Sequence, residues 1–142
     1  MGARIFMVDD DPSFVEIAQL VLEAAGYEFV AASSAAEALA RMGEVQPDLI
    51  ILDVMMEDVA AGFRVVNALR DFEVHPQNRR YEKVPILMLT SIQQRTNMRF
   101  SQDAGTTLLP VDGFREKPVK PRQLLDTVAD LLRRRADATR TD

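Results

Sequence analysis

The chain has 142 residues, 47% of them hydrophobic and 27% charged, which suits one globular domain with a single core. It contains no cysteine, so disulfides, thiolate metal ligands and cysteine nucleophiles are excluded. A formal net charge of -5 argues against direct binding to nucleic acid, because nucleic-acid modules carry a concentrated basic face. No leader pattern and no apolar stretch of about 18 residues is found, so we expect no membrane span and a cytoplasmic location.

The first predicted strand covers residues 3–8 and leads directly into a helix. Asp11 is a favourable N-cap for this helix, and Pro12 is well placed in its first turn. Apolar residues then recur on one helical face, from Phe14 onward, and the helix is expected to end near Gly26.

A second strand is predicted over 27–32, followed by a second helix. Ser34 and Glu37 have the spacing of a capping box at the start of this helix, which should run to about Gly43. The third strand, 48–52, is an unbroken apolar run of the kind found when both faces of a sheet are covered.

The second half of the chain continues the alternation of helices and strands. A third helix is marked by Val65, Leu69 and Phe72, and a polar connector over 75–80 is expected to be a solvated loop. The remaining predictions are a strand over 84–89, a helix around 94–104, a strand at about 112–115 and an amphipathic helix from Pro121.

Five strands alternating with five helices predict an α/β fold with a doubly wound parallel sheet in the order 2-1-3-4-5, as in flavodoxin-like proteins. We expect the domain to span residues 1–135, with Arg133, Arg134 and Arg135 closing the fifth helix. Residues 136–142 are predicted to be a polar, frayed tail.

Four predicted strands lead into polar residues suited to phosphate or metal chemistry. Asp9 and Asp10 follow the first strand, Asp53 the third, Thr90 the fourth and Lys117 the fifth. Because the carboxyl ends of parallel strands share one edge of a sheet, these side chains are expected to converge. Each residue alone has an ordinary interpretation as a turn, a cap, a strand end or a solvated charge, so the prediction depends on the whole set.

Three carboxylates brought together repel one another unless a cation neutralises them. With only hard oxygen ligands available, Mg²⁺ is the expected ion. Asp53 is the best candidate nucleophile, because an aspartate can accept a phosphoryl group as an acyl phosphate. Lys117 and the Thr90 hydroxyl could then neutralise charge on the phosphoryl oxygens.

Four sequence segments together resemble the receiver domain of two-component response regulators: MVDDDP, LIILDVMM, LTS and FREKP. The resemblance covers residues 3 to 134. It implies that Asp53 is the phosphoacceptor, and that the metal ligands are Asp9, Asp10, Asp53 and the Met55 carbonyl. It further implies phosphoryl-contacting and switch roles for Thr90, Lys117 and Phe114, although Phe114 could equally be a core residue. Since the corresponding Lys-Pro bond is commonly cis in the family, Pro118 is predicted to be cis.

The resemblance implies a signalling module rather than an enzyme. A sensor histidine kinase or phosphotransfer protein would donate a phosphoryl group to Asp53, and the protein would assist its own phosphorylation and dephosphorylation. The helix 4, strand 5 and helix 5 surface would then switch toward a downstream protein, and this surface is also the expected place for a homodimer.

Two departures from the family pattern keep an alternative open. Glu57 stands where the family usually has proline, and the span from Thr90 to Lys117 is longer than usual. Both features motivate a docking module that works without phosphorylation. A phosphohydrolase is disfavoured, because Met55 stands where such an enzyme would need a second aspartate.

Overall fold

The computed structural model describes residues 2–53, 61–71, 73–90, 112–117 and 119–141, without the side chains of Arg79, Thr90, Phe114, Glu116 and residues 136–141. Within these residues, one parallel sheet contains β1 (Arg4–Val8), β2 (Glu28–Ala32), β3 (Leu49–Asp53), β4 (Ile86–Thr90) and β5 (Gly113–Glu116). The strand order is β2-β1-β3-β4-β5, which confirms the predicted topology. The order reverses between β1 and β3, so the carboxyl ends of these two strands lie side by side.

The described residues also include four α-helices and one 3₁₀ helix. The α-helices are α1 (Pro12–Ala24), α2 (Ala35–Val45), α3 (Ala61–Arg70) and α4 (Pro121–Thr141), and the 3₁₀ helix is Pro76–Tyr81. Here α4 is the fifth helix of the sequence prediction. The helix predicted over 94–104 lies outside the described residues. None of the described helices combines the length and the apolar character that a membrane crossing requires.

Alternating strand residues pack on opposite faces of the sheet, which explains the unbroken apolar runs. On one face, α2 and α3 cover a buried cluster that includes Phe6, Ile50 and Met88. On the other face, a second cluster with Met7 and Ile51 packs against residues of α1 and α4. Because both faces are covered by helices, every residue of β3 is buried.

Side chains cap the first two helices as the sequence indicates, except that Glu37 bonds the amide of Ser33 and not that of the cap residue Ser34. The Asp11 carboxylate accepts hydrogen bonds from the amides of Ser13 (3.1 Å) and Phe14 (3.4 Å) at the start of α1. The Ser34 hydroxyl accepts from the Glu37 amide at 3.0 Å. Glu37 in turn accepts from the Ser33 amide, one residue before the cap, at 2.9 Å. That backbone hydrogen bond is the main reason that the pKa of Glu37 lies below its usual value.

The loop predicted over 75–80 is wrong in its backbone, although none of the described side chains in this segment is buried, as expected of a solvated connector. The segment forms the 3₁₀ helix, and Tyr81 at its end is only 4% exposed within the core cluster of α2 and α3. Arg70 donates hydrogen bonds to the carbonyls of Tyr81 (2.7 Å) and Val84 (2.6 Å), and Asn78 donates to that of Ala68 (2.7 Å). Hydrogen bonds from Arg70 and Asn78 therefore hold this largely exposed segment against α3, which is why a polar composition did not mean an irregular loop.

The frayed tail predicted after Arg135 is also not found, because the backbone of α4 remains helical to Thr141. The segment contains alanine and arginine, which favour helix, and neither glycine nor proline. Polarity alone does not end a helix when its residues have high helix propensity.

Candidate phosphoryl and metal site

The sheet topology places the predicted site residues at one edge. Val8 pairs with Leu52 in the register of β1 and β3, so Asp9 follows directly beside Asp53. On the other side of β3, Thr90 pairs with Glu116 at the ends of β4 and β5, and Lys117 comes next in the chain. The strands thus deliver these residues to a common region, as the sequence predicted.

Three carboxylates form a compact cluster at this edge. Oxygen atoms of Asp9, Asp10 and Asp53 all lie within 4.8 Å of one another. Asp9 and Asp53 are 2% and 4% exposed, whereas Asp10 is exposed. Burying two like charges side by side is unfavourable, so this arrangement needs a cation.

Lys117 supplies one cation to the cluster. Its Nζ lies 2.8 Å from Asp9 Oδ2, a hydrogen bond, and 3.7 Å from Asp53 Oδ2. Burial lowers the pKa of Lys117, but the hydrogen bond to Asp9 and the charges of Asp9, Asp53 and Asp11 outweigh it, so the pKa is raised. The ammonium therefore bridges the ends of β1 and β3.

Asp9 is held from both sides. Its Oδ1 accepts a hydrogen bond from the Asp11 amide at 2.9 Å, while its Oδ2 accepts from Lys117. Its own amide donates to the carbonyl of Ala32 at 3.0 Å, which ties it to the end of β2. The carboxylate of Asp9 is consequently fixed in orientation before any ligand arrives.

One contact at the site was missed by the sequence analysis. The aromatic ring of Phe14 lies with its centroid 4.7 Å from Lys117 Nζ, within the range of a cation–π interaction. The sequence placed Phe14 only on the apolar face of α1. Because an apolar periodicity does not distinguish a core residue from one that also covers a charge, nothing in the sequence signalled this second role.

Four of the predicted site residues can be located only in part or not at all. Thr90 is the last residue of β4, and Phe114 pairs with Met88 in β5, but the side chains of Thr90 and Phe114 are not described. Met55 and Pro118 lie outside the described residues, so the predicted carbonyl ligand and cis-proline stay predictions.

The donor set fits a hard divalent cation. The cluster presents carboxylate oxygens only, the ligands that Mg²⁺ and Ca²⁺ prefer, and its exposed member Asp10 leaves one side accessible to water. A surface groove of about 390 Å³ borders Asp9 and Asp10 and reaches Ser33 and Glu37. The side of the cluster formed by Asp9 and Asp10 is therefore open to solvent.

Comparison with known proteins identifies the family. Residues 5–129 match the model of the response regulator receiver domain. The chain belongs to this family. The receiver domain covers nearly the whole chain, and the motif resemblance found in the sequence is confirmed.

Relatives with known roles are found among transcriptional and chemotaxis regulators. The DNA-binding response regulator MtrA of Mycolicibacterium smegmatis is 32% identical over 137 residues, which cover 96% of this chain and 54% of that protein. The alkaline phosphatase synthesis transcriptional regulatory protein PhoP of Bacillus subtilis is 34% identical over 134 residues, covering 94% and 50%. The chain thus spans about half the length of the curated relatives that it matches.

A solved structure of similar size shows the same architecture. The chemotaxis response regulator CheY4 of Vibrio cholerae has a TM-score of 0.74 and 32% sequence identity, and the match covers 92% of this chain and 99% of that one. This chain therefore shares its fold with a chemotaxis response regulator along 92% of its own length and 99% of that protein's chain.

Proposed function

We propose that this receiver domain accepts a phosphoryl group on Asp53 from a sensor histidine kinase or a phosphotransfer protein, in a reaction that requires Mg²⁺ in the cytoplasm. The observation that carries the proposal is the position of Lys117. Its Nζ lies 2.8 Å from Asp9 and 3.7 Å from Asp53, so a buried carboxylate nucleophile has a fixed cation beside it. Neutralising charge in this way is the main requirement of phosphoryl transfer.

In the transfer, a carboxylate oxygen of Asp53 attacks the phosphorus and forms a P–O bond. The bond between phosphorus and the donor breaks, and the donor keeps that electron pair. Lys117 is close enough to follow the phosphoryl oxygens with small changes in its flexible side chain. Asp9 and Asp10 would hold Mg²⁺ with Asp53, and the bound ion would supply further positive charge to the phosphoryl oxygens.

We expect the signal to be passed on by a shift in population between an inactive and an active conformation of the domain. In the family pattern, the Thr90 hydroxyl contacts the phosphoryl group, and Phe114 changes position on the face formed by the helix predicted over 94–104, β5 and α4. A phosphoryl group that makes better contacts in one state shifts the equilibrium toward it. The partner of that face would be a downstream protein or a second copy of the chain. In this proposal the domain is a phosphoacceptor that assists its own phosphorylation and dephosphorylation, and it does not act as an enzyme on a separate substrate.

The test is incubation of the chain with acetyl phosphate and Mg²⁺, followed by intact mass measurement. We expect the addition of one phosphoryl group to the wild type and none to Asp53→Asn. Asp126→Asn is the matched control, because Asp126 is an exposed aspartate of α4 far from the carboxylate cluster in sequence, and it should be phosphorylated normally.

Two outcomes would contradict the proposal. One is a wild-type chain that takes no phosphoryl group from either acetyl phosphate or a competent histidine kinase. The other is equal labelling of Asp53→Asn. If Asp53 is phosphorylated but neither phosphorylation nor beryllofluoride changes the affinity for a partner, the switching step is wrong and the phosphorylation-independent docking module, which Glu57 motivates, is favoured instead.

A further inference from the structure

Phe14 touches the reactive site through Lys117, although the family comparison assigns it no role. We infer that Phe14 is a positioning residue whose aromatic face holds the Lys117 ammonium between Asp9 and Asp53. The inference rests on the proposed function and deepens it, because it names what sets the position of the phosphoryl-neutralising cation. It depends on three observations: the ring contact, the restricted solvent access of Lys117 and the construction of the first turn of α1.

Among the residues that the structure describes, the ammonium contacts Asp9, Asp53 and the ring of Phe14. Asp9 accepts a hydrogen bond from Nζ at 2.8 Å, whereas Asp53 at 3.7 Å is beyond hydrogen-bond distance. The centroid of the Phe14 ring lies 4.7 Å from the same nitrogen. A lysine side chain has four flexible methylene groups, so one hydrogen bond to Asp9 does not by itself define where the ammonium sits. The ring supplies a further restraint on the ammonium beside the two carboxylates.

The surroundings of Lys117 make the ring contact energetically relevant. The Lys117 side chain is only 21% exposed, and Phe14 is half-buried at the edge of the cluster packed by α1 and α4. Attraction between an ammonium and the negative face of an aromatic ring is strongest where water is excluded. An aliphatic residue would fill the same apolar position but would offer no such attraction.

The loop between β1 and α1 places the ring and Asp9 as one unit. The amide of Asp11 donates to Asp9 Oδ1, and the carboxylate of Asp11 accepts from the amides of Ser13 and Phe14. A single N-cap residue thus orients the hydrogen-bond partner of Lys117 and fixes the helical turn that carries the ring. Both partners of the ammonium are therefore tied to the same residue, Asp11.

The experiment compares Phe14→Leu with Phe14→Tyr, since leucine preserves the apolar packing and tyrosine preserves the aromatic face. Phe29→Leu is the matched control, because Phe29 is another half-buried phenylalanine packed against the same core cluster. The direct readout is the ¹H–¹⁵N signal of the Lys117 ammonium, assigned by its loss in Lys117→Arg, which is visible only when the ammonium is held and protected from exchange. The second readout is the rate of phosphorylation by acetyl phosphate.

We expect the ammonium signal in the wild type, Phe14→Tyr and Phe29→Leu, and its loss in Phe14→Leu with backbone spectra unchanged elsewhere. The phosphorylation rate of Phe14→Leu should fall by about fivefold, the scale of one cation–π contact. An intact ammonium signal in Phe14→Leu, or an equal loss in Phe29→Leu, would overturn the inference. If the wild type takes no phosphoryl group, the proposed function fails, and the ammonium signal alone still decides whether Phe14 holds Lys117.

Discussion

Charged side chains lie at both ends of the strands, and their roles differ. We call the side of the sheet where the strands begin the amino edge, and the side where they end the carboxyl edge. At the amino edge, Asp48 accepts from the Arg4 amide at 2.7 Å and from Arg135 Nη1 at 2.9 Å. Arg135 also donates to the carbonyl of Asp48, and Arg4 to that of Val45. These contacts join α4 and α2 to the starts of β1 and β3, so the charges complete backbone hydrogen bonds.

Asp112 and Arg70, also at the amino edge, likewise complete backbone hydrogen bonds. Asp112 accepts from the Ile86 amide at 2.8 Å, which sets the start of β5 against β4, and lies 3.5 Å from Arg70. Burial lowers the pKa of Arg70, and the charges of Asp112 and Glu82 oppose that effect. Each carboxylate here has an arginine partner, so positive and negative charges are close to balanced.

The carboxyl edge has a different balance. Among the described residues, the carboxylates of Asp9, Asp10 and Asp53 lie together, and the Lys117 ammonium pairs with Asp9 and Asp53, the two that are almost completely buried. Such an excess of buried negative charge weakens folding and is retained where it serves chemistry. The number of ion pairs is therefore a poor marker of a functional site in this protein. The better marker is an excess of buried carboxylates over nearby cations.

Removing the cation from the carboxyl edge should have the largest effect on stability. Lys117→Met leaves buried Asp9 without its hydrogen-bonded ammonium, and since Lys117 itself is 21% exposed, we expect the free energy of unfolding without metal to fall by about 2 kcal/mol. The pKa of Lys117 is raised in the folded state, so its stabilising effect is complete at neutral pH and is lost as the pH rises through that folded pKa. Urea unfolding of the wild type and Lys117→Met in a chelator measures the loss of stability at neutral pH. The same measurement at strongly alkaline pH shows whether the difference between the two proteins disappears.

The matched control for this variant is Arg135→Met at the amino edge. Its side chain is 30% exposed and its partner Asp48 is 41% exposed, so water can replace the lost contact and the expected loss is about 1 kcal/mol. Mg²⁺ should stabilise every variant that keeps the three carboxylates, so each variant is compared with the wild type at the same Mg²⁺ concentration. The deficit of Lys117→Met should shrink as Mg²⁺ is added, whereas that of Arg135→Met should stay the same. Equal deficits in the two variants, both unchanged by Mg²⁺, would contradict the comparison of the two edges.

Neutralising a carboxylate at the amino edge should destabilise the protein moderately. Asp48→Asn weakens the acceptors for the Arg4 amide and for Arg135, and we expect a loss of about 1 kcal/mol with or without Mg²⁺. Chemical unfolding of the variant beside Asp126→Asn, an exposed aspartate of α4, checks this. An Asp48→Asn chain as stable as that control would show that the amino-edge charges are dispensable.

The convergence of Asp9, Asp53 and Lys117 was predictable from sequence because it depends on strand ends. Once the apolar runs before Asp9 and Asp53 were recognised as neighbouring parallel strands, the sheet geometry required the two carboxylates to meet. The capping role of Asp11 was equally predictable, since it uses atoms two and three residues away. Local pattern and topology together were sufficient for these residues.

The features that sequence reasoning missed depend on contacts between distant segments. Arg70 donates to the carbonyls of Tyr81 and Val84, so a polar, largely exposed segment forms a 3₁₀ helix against α3 instead of an irregular loop. Phe14 meets Lys117 only because α1 and the end of β5 converge over the same edge. Periodicity reports which face of a helix is apolar, but it does not report which long side chain from elsewhere reaches that face.

The smallest predicted effect is opposite in sign to that of Asp48→Asn. Asp10→Asn removes one negative charge from the carboxylate cluster, and we expect the metal-free protein to gain about 0.5 kcal/mol, a modest value because Asp10 is exposed. The same change should weaken Mg²⁺ binding, since one oxygen ligand loses its charge. Urea unfolding in a chelator and a Mg²⁺ titration of the folded protein measure the two effects. A loss of stability in Asp10→Asn would mean that the three carboxylates do not repel one another, and the argument that their imbalance marks the functional edge would fail.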